Sequence, residues 1–236
     1  MNCKTYNSNV PETYTKPHQH PSILKVFCVI VILSIAFAYI ESAVVVYLRA
    51  IFYPEGFNFP IVFGESPLWK KLIFTETGRE AATIVLIFAV AWLSGKNAQR
   101  RFAFFLIVFA VWDIFYYVWL KILINWPGSI MDWDILFLIP LPWASPVLAP
   151  LLIAGLMLLS GTAILYYCDY PGTIKNVFMF KSGLIFAAFL MVISFCIAGF
   201  HIARPDFKSH FYWSLFGSGY ILAVIMSLRY FLKIRK

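Results

Sequence analysis

Phe102-Ala-Phe-Phe-Leu-Ile-Val-Phe-Ala-Val-Trp-Asp-Ile-Phe-Tyr-Tyr-Val-Trp-Leu120 is aliphatic or aromatic throughout except for one carboxylate, Asp113. As a helix, an apolar run of about 18 residues or more can cross the hydrocarbon core of a bilayer. A charge at that depth costs at least ~2.5–3.5 kcal/mol on insertion scales, and it usually faces a partner or a cavity. The stretch therefore reads both as a membrane span and as a place where function is seated.

The same apolar pattern recurs along the chain. Spans are expected at about 23–48, 79–93, 102–124, 146–167, 183–202 and 211–232. The predicted fold is all-α, a polytopic transmembrane helix bundle of about six spans. The composition agrees, with 61% hydrophobic and only 13% charged residues among 236 and a mean hydropathy of +0.80, which excludes an ordinary soluble domain. Residues 1–21 are polar and rich in Pro, Asn and Thr, and read as a flexible cytoplasmic tail; residues 22–236 read as a single transmembrane domain. The run after Lys25 is too long for a signal peptide, lacks a small-residue cleavage site and carries Glu41, so it is expected to stay as the first span.

Charge placement predicts orientation. With both termini in the cytoplasm, twelve Lys and Arg fall inside and seven outside, while nine of the eleven acids lie outside or in outer membrane halves. Excess inner Lys and Arg is the usual bias of multi-pass proteins. The net charge of +8 is thus mostly topology: it predicts attraction to anionic inner-leaflet lipid and no nucleic-acid partner. The expected location is a bacterial-type inner (cell) membrane. The expected surroundings are the lipid bilayer and, in one reading, other membrane subunits or further copies of the chain. Cys3, Cys28, Cys168 and Cys196 show no CxxC spacing and predict no disulfide.

Between spans, Ser66-Pro67 has the signature of a helix start, a capping Ser before a Pro at the first helical position. A short interfacial helix over 68–74 is expected, with a bend at Gly78 before span two. Pro140, Pro142, Pro146 and Pro150 do not suit one regular helix. Residues 135–144 are therefore expected as a broken or re-entrant approach to span four, with a kinked helix as the alternative. Such backbone is tolerated at membrane depth only where protein or a water-filled cavity receives its polar groups. Ser145-Pro146 looks like the cap and first residue of span four. On span six, Ser214, Gly217, Ser218 and Gly219 favour close packing by another helix.

Polar residues gather in the outer halves. Counting about 1.5 Å per residue, Asp113 lies roughly 18 Å above the inner end of its span and Glu41 roughly 24 Å above its own. Glu80 and His201 fall near the outer ends of spans two and five. Tyr116 and Tyr117 follow Asp113 by one turn, and Arg49 and Arg79 are within reach as counter-charges. These eight residues are the candidate ligand- or ion-binding set. Several also have structural readings. Thr77-x-x-Glu80 matches a capping box. Asp132 and Asp134 suit caps at the approach to span four. Lys121 and Arg204 suit snorkelling to the interface, His201 suits a hydrogen-bonded boundary residue, and Asp113 and Glu41 could form ion pairs with Arg49 or Arg79.

The chemistry stays open at this stage, and no cofactor or catalytic residue is singled out. Four histidines in all, two of them in Pro17-His-Gln-His-Pro21, are too few for a membrane hydroxylase, and His201 with His210 is a poor pair for haem. Glu41, Glu80, Asp113 and His201 together could hold a divalent cation. No phosphate loop, GxSxG or HExxH motif occurs. The leading reading is binding or translocation of a small polar solute, cation or proton by an outward-facing carboxylate and aromatic pocket. The alternatives are a non-catalytic subunit of a larger membrane complex and a membrane-embedded enzyme acting on a lipid or headgroup from the outer leaflet.

Overall fold

The computed structural model describes residues 22–61, 64, 66–139, 141–167 and 177–234. The tail with its His-x-His pair, Cys3, Pro140 and Cys168 lie outside the described residues. Six helices carry the fold: α1 Ile23–Phe52, α2 Pro67–Ser94, α3 Ala98–Ile124, α4 Leu148–Tyr167, α5 Val177–Phe200 and α6 Trp213–Ile234. All six are long and apolar enough to cross a membrane, so the chain is an all-α, multi-pass bundle of the predicted kind.

Local chemistry sets the helix starts. Ser22 accepts from the Lys25 N–H at 3.3 Å, and Asn97 accepts from the Arg100 N–H at 2.8 Å. Ser66 accepts from the Trp69 N–H at 3.3 Å, with Pro67 at the first helical position, as its sequence predicts. Asn125 ends α3 in the left-handed conformation at φ 53°, a region that Asn tolerates better than most residues.

The bend expected at Gly78 does not form, because α2 runs unbroken from Pro67 to Ser94. Thr75 and Thr77 hydroxyls bond back to the Lys71 and Ile73 carbonyls at 2.9 and 2.8 Å. Glu76 and Arg79 pair across Gly78 within the helix, and Arg79, Glu80 and Thr83 tie the same face to other elements. A single exposed glycine costs a helix only ~1 kcal/mol, too little to break one held that way.

The Pro-rich approach to α4 is not helical, as expected, but takes a form the sequence did not specify. It is an antiparallel ribbon, β1 Trp133–Phe137 against β2 Trp143–Pro146, pairing Trp133 with Pro146, Asp134 with Ser145, Ile135 with Ala144 and Phe137 with Trp143. Ser145 and Pro146 therefore belong to β2 and do not cap α4. The Ser145 hydroxyl donates to the Pro146 carbonyl at 3.0 Å. A ribbon suits this sequence because β-branched and aromatic residues favour strands and Pro is admitted at strand ends and edges. Its spare polar groups are taken up by neighbours: Val147 and Leu148 N–H donate to the Asp132 and Ile130 carbonyls at 2.9 and 2.8 Å, and Leu138 N–H donates to Glu80.

Helix α3 is the central member. Half of its most apolar window is buried, against 17% for α1, and it packs on α1, α2 and α4, while α5 packs on α6 and β2. One apolar core joins Ile30, Ile87, Phe104, Ile107 and Ile164. A second joins Trp133, Met191, Phe195, Phe207 and Phe216. Small residues set the closest approaches. A Cβ at Gly161 would lie 2.8 Å from the Ala103 carbonyl oxygen, and one at Gly219 would lie 2.8 Å from that of Ala187. Of the small residues on α6, Gly219 makes the contact; Gly217 faces open space.

Candidate functional site

A cavity of about 330 Å³ lies between the ribbon and helices α1 to α5. Its α3 wall runs from Phe105 to Tyr117, roughly 18 Å along the helix. The two halves differ. Near the ribbon the acids Glu41, Glu76, Glu80, Asp113 and Asp134 and the cation Arg79 line it together with Ile135, Leu136, Phe137 and Trp143; farther down the lining is apolar, with Phe105, Phe109, Ile153, Met157 and Met191.

Helical spacing puts Glu76, Arg79, Glu80 and Thr83 on one face of α2, where all four are engaged. The Arg79 guanidinium bridges α1 and its own helix: one terminal nitrogen pairs with Glu41, the other with Glu76, and Nε donates to Glu76 Oε2 at 2.9 Å. Thr83 Oγ1 donates to Glu41 Oε1 at 2.7 Å, so Glu41 is held at both oxygens. The capping-box reading of Thr77 and Glu80 fails, because both sit inside a continuous helix. Glu80 instead accepts from Leu138 N–H at 2.8 Å and fastens the ribbon to α2.

Asp134 does not cap α4. Its Oδ1 accepts from Arg49 at 3.3 Å, while the Arg49 guanidinium lies over the Trp126 ring, 3.9 Å from its centroid. Arg49 thus stands behind the cavity wall as the holder of Asp134. Asp132 closes the preceding turn, accepting from Gly128 and Ser129 N–H at 2.7 and 3.1 Å. Lys121 donates to the Asn125 and Pro127 carbonyls at the end of α3.

Burial lifts the Asp134 carboxyl from an ordinary 3.8 to about 6, against the pull of the Arg49 guanidinium, the Ile135 N–H and the Tyr117 and Tyr116 hydroxyls. A carboxyl raised by folding stabilises the native state fully below its unfolded value, and that contribution is lost as pH rises through the folded value. Between about pH 4 and pH 6 the wild type is therefore expected to lose on the order of 3 kcal/mol relative to Asp134→Asn. Thermal unfolding of both proteins in one detergent across that range measures it; a difference that stays flat refutes the assignment.

Asp113 is the exception among the lining acids. It borders the cavity, and among the described residues no hydrogen bond or ion pair reaches it; the two cations that could pair with it are turned to Glu41, Glu76 and Asp134. Tyr116 and Tyr117 line the same wall. Four buried polar atoms lack a hydrogen bond among the described residues: Arg79 Nη1, which is taken up by the ion pair with Glu41, and Trp112 Nε1, Trp143 Nε1 and Asp134 Oδ2; all four residues line the cavity.

His201 is not part of this group. Its ring stacks on His210 with centroids 3.8 Å apart, and its Nδ1 sits 2.8 Å from the Ile197 carbonyl. The chain reverses after α5, which carries the imidazole away from the cavity. The four-ligand cation site of Glu41, Glu80, Asp113 and His201 is therefore not assembled, and among the described residues no group of three or more His, Cys, Asp or Glu is placed to hold a metal. Of the eight sequence candidates, Glu41, Arg79, Glu80, Asp113, Tyr116 and Tyr117 meet at the cavity, Arg49 supports it from behind and His201 lies elsewhere. Asp134 and Trp143 were not among the candidates. Asp134 meets Arg49 across 85 residues, a pairing that no local pattern signals.

This arrangement defines a class: a polytopic α-helical membrane protein with a cavity whose charged groups gather at the ribbon end among apolar neighbours and whose other end is apolar. No protein-family model, no curated protein and no solved structure matches the chain.

Proposed function

We propose that the protein is a binding protein of the membrane, whose cavity receives a hydrogen-bond-donating or cationic group of a small molecule at Asp113. The observation that carries this reading is the Asp113 carboxylate itself, which borders a cavity inside a membrane span with no partner in the described chain. Such a group costs ~2.5–3.5 kcal/mol or more to place there, and a bound donor offsets that cost.

Binding accounts for the lining better than translocation does. Below Asp113 the α3 wall continues as Phe109 and Phe105, with Met157 also in the lining, and among the described residues this end of the lining offers no polar side chain to lead a solute or proton onward. The excess of Lys and Arg at the termini and in the 96–101 and 168–181 segments supports cytoplasmic termini, so the polar half faces the outside of an inner membrane. The bilayer is the natural partner, and the charge placement gives no reason to invoke nucleic acid.

The test is native mass spectrometry of protein extracted gently from its own membrane. The wild type is expected to carry a non-covalent adduct that Asp113→Asn loses by at least ~10-fold. The melting temperature of the ligand-free protein should not fall, because no partner of Asp113 is broken and a neutral amide costs less to bury than a carboxylate. Equal retention of the adduct by both proteins overturns the reading.

A further inference from the structure

We infer that the ligand is an amphipath, a hydroxyl-bearing headgroup on a hydrocarbon chain, that enters the cavity sideways from the bilayer. This deepens the reading of Asp113 as the receiving group and rests on it.

The unpaired atoms define the head. Asp113, which lines the cavity, and Asp134 Oδ2 can only accept while ionised, and the Trp112 and Trp143 indole N–H groups can only donate. A buried polar group left unpaired costs ~1–3 kcal/mol, so a fitting ligand supplies both kinds of partner. A bare ammonium or metal cation offers nothing to the indoles. A carboxylate or phosphate head meets an excess of acid, since among the described residues Glu41, Glu76, Glu80, Asp113 and Asp134 border the cavity against a single lining cation, Arg79. Hydroxyl groups donate and accept, and carry no charge.

The lower half defines the rest of the molecule. Phe105, Phe109, Ile153, Met157 and Met191 line it, and a wholly polar ligand would leave that surface wet or empty. Apolar chains gain ~0.8 kcal/mol per buried CH₂ when taken from water, but nothing comparable when taken from lipid. The tail therefore sets which molecules fit, while the head supplies most of the affinity. The route is open at one wall. Helices α2 and α5 both border the cavity, yet α2 packs extensively only on α3, and α5 on α6 and β2. Ala188 on α5 is at once a lining residue and an exposed one.

The experiment uses the full chain in nanodiscs and three photoreactive probes with one diazirine-bearing chain: a monoacylglycerol, an alkyl glucoside and a fatty amine. The two hydroxyl-headed probes are expected to label the lower half, around Ile153, Met157 and Met191, at least ~10-fold more than the amine. The stronger of the two identifies a glycerol or a sugar head. Unlabelled monoacylglycerol should compete, free glycerol should not, and Ala188→Trp should cut labelling ~10-fold. The wild-type competition decides the matter if that variant does not fold. Labelling that the amine matches, or that spreads evenly over the lipid-facing surface, overturns the amphipath. If Asp113→Asn then still loses its native adduct, the Asp113 reading stands alone. Specific labelling that Asp113→Asn leaves unchanged sinks that reading and with it the headgroup assignment made here.

Discussion

Replacing Arg79 by methionine is expected to cost most of the protein's stability, on the order of 3–5 kcal/mol, the range for breaking a buried ion pair by removing one partner. Arg79 is the counter-charge of two carboxylates, Glu41 on α1 and Glu76 on α2. Glu41 is 5% exposed, so its carboxylate is shielded from bulk solvent when the guanidinium is lost. Its one remaining donor is Thr83, and α1 and α2 lose the charged link that joins them at the cavity. The outcome to look for is a low folded yield and a melting temperature well below wild type in the same detergent. A second change separates loss of pairing from loss of bulk. Glu41→Gln with Arg79→Met removes both charges of the inter-helix pair and should recover part of the loss, because a neutral amide still accepts from Thr83. If Arg79→Met melts with the wild type, the pair contributes nothing and the account of this face is wrong.

The second large effect is expected at Gly199. A Cβ there would run into the carbonyl oxygen and carbon of Pro142, and both are backbone atoms of the ribbon. No side-chain rotation relieves that contact, so α5 and β2 must part. Overpacking in a close-packed interior costs typically ~1–3 kcal/mol, and this seam also holds Trp143 against Phe195, with centroids 6.1 Å apart. Gly199→Ala should therefore lower the melting temperature and also loosen the cavity wall, with loss of whatever the wild type carries there. Gly217→Ala is the control. Nothing lies within 4 Å of the position its Cβ would take, and Ala is a better helix former than Gly by ~1 kcal/mol. It should melt no lower than wild type. Equal melting of the two alanine variants would show that α5 does not seat on the ribbon.

Legibility differs sharply among the residues. Ser66 and Pro67 could be read directly, because a cap acts over three or four residues. Thr77 and Glu80 carry an equally good local signature and were misread, because a capping box requires a helix end and α2 has none there. The approach to α4 was legible as non-helical from its prolines. Whether that backbone would re-enter, kink or fold on itself depended on finding acceptors, and these came from Glu80 on α2 and from Asp132 and Ile130 just before β1.

Sequence by itself determined the bundle, the number of its spans and the gathering of acids toward one end, but not the limits of α2, which starts at Pro67 where a span from 79 is expected. The physical reason is that burying apolar side chains in lipid and closing the backbone hydrogen bonds within a helix are both local demands, met by about 20 residues at a time. Tertiary structure alone decided which charges meet. Arg79 could have turned to Asp113 and Arg49 to Glu41; the rotation of α2 about its axis and the arrival of the ribbon gave Arg79 to Glu41 and Glu76 and Arg49 to Asp134. Ion pairs depend on distances of a few ångströms between segments far apart in the chain. The isolation of Asp113, on which the proposed function depends, is therefore a property of the packed bundle and of no stretch of sequence within it.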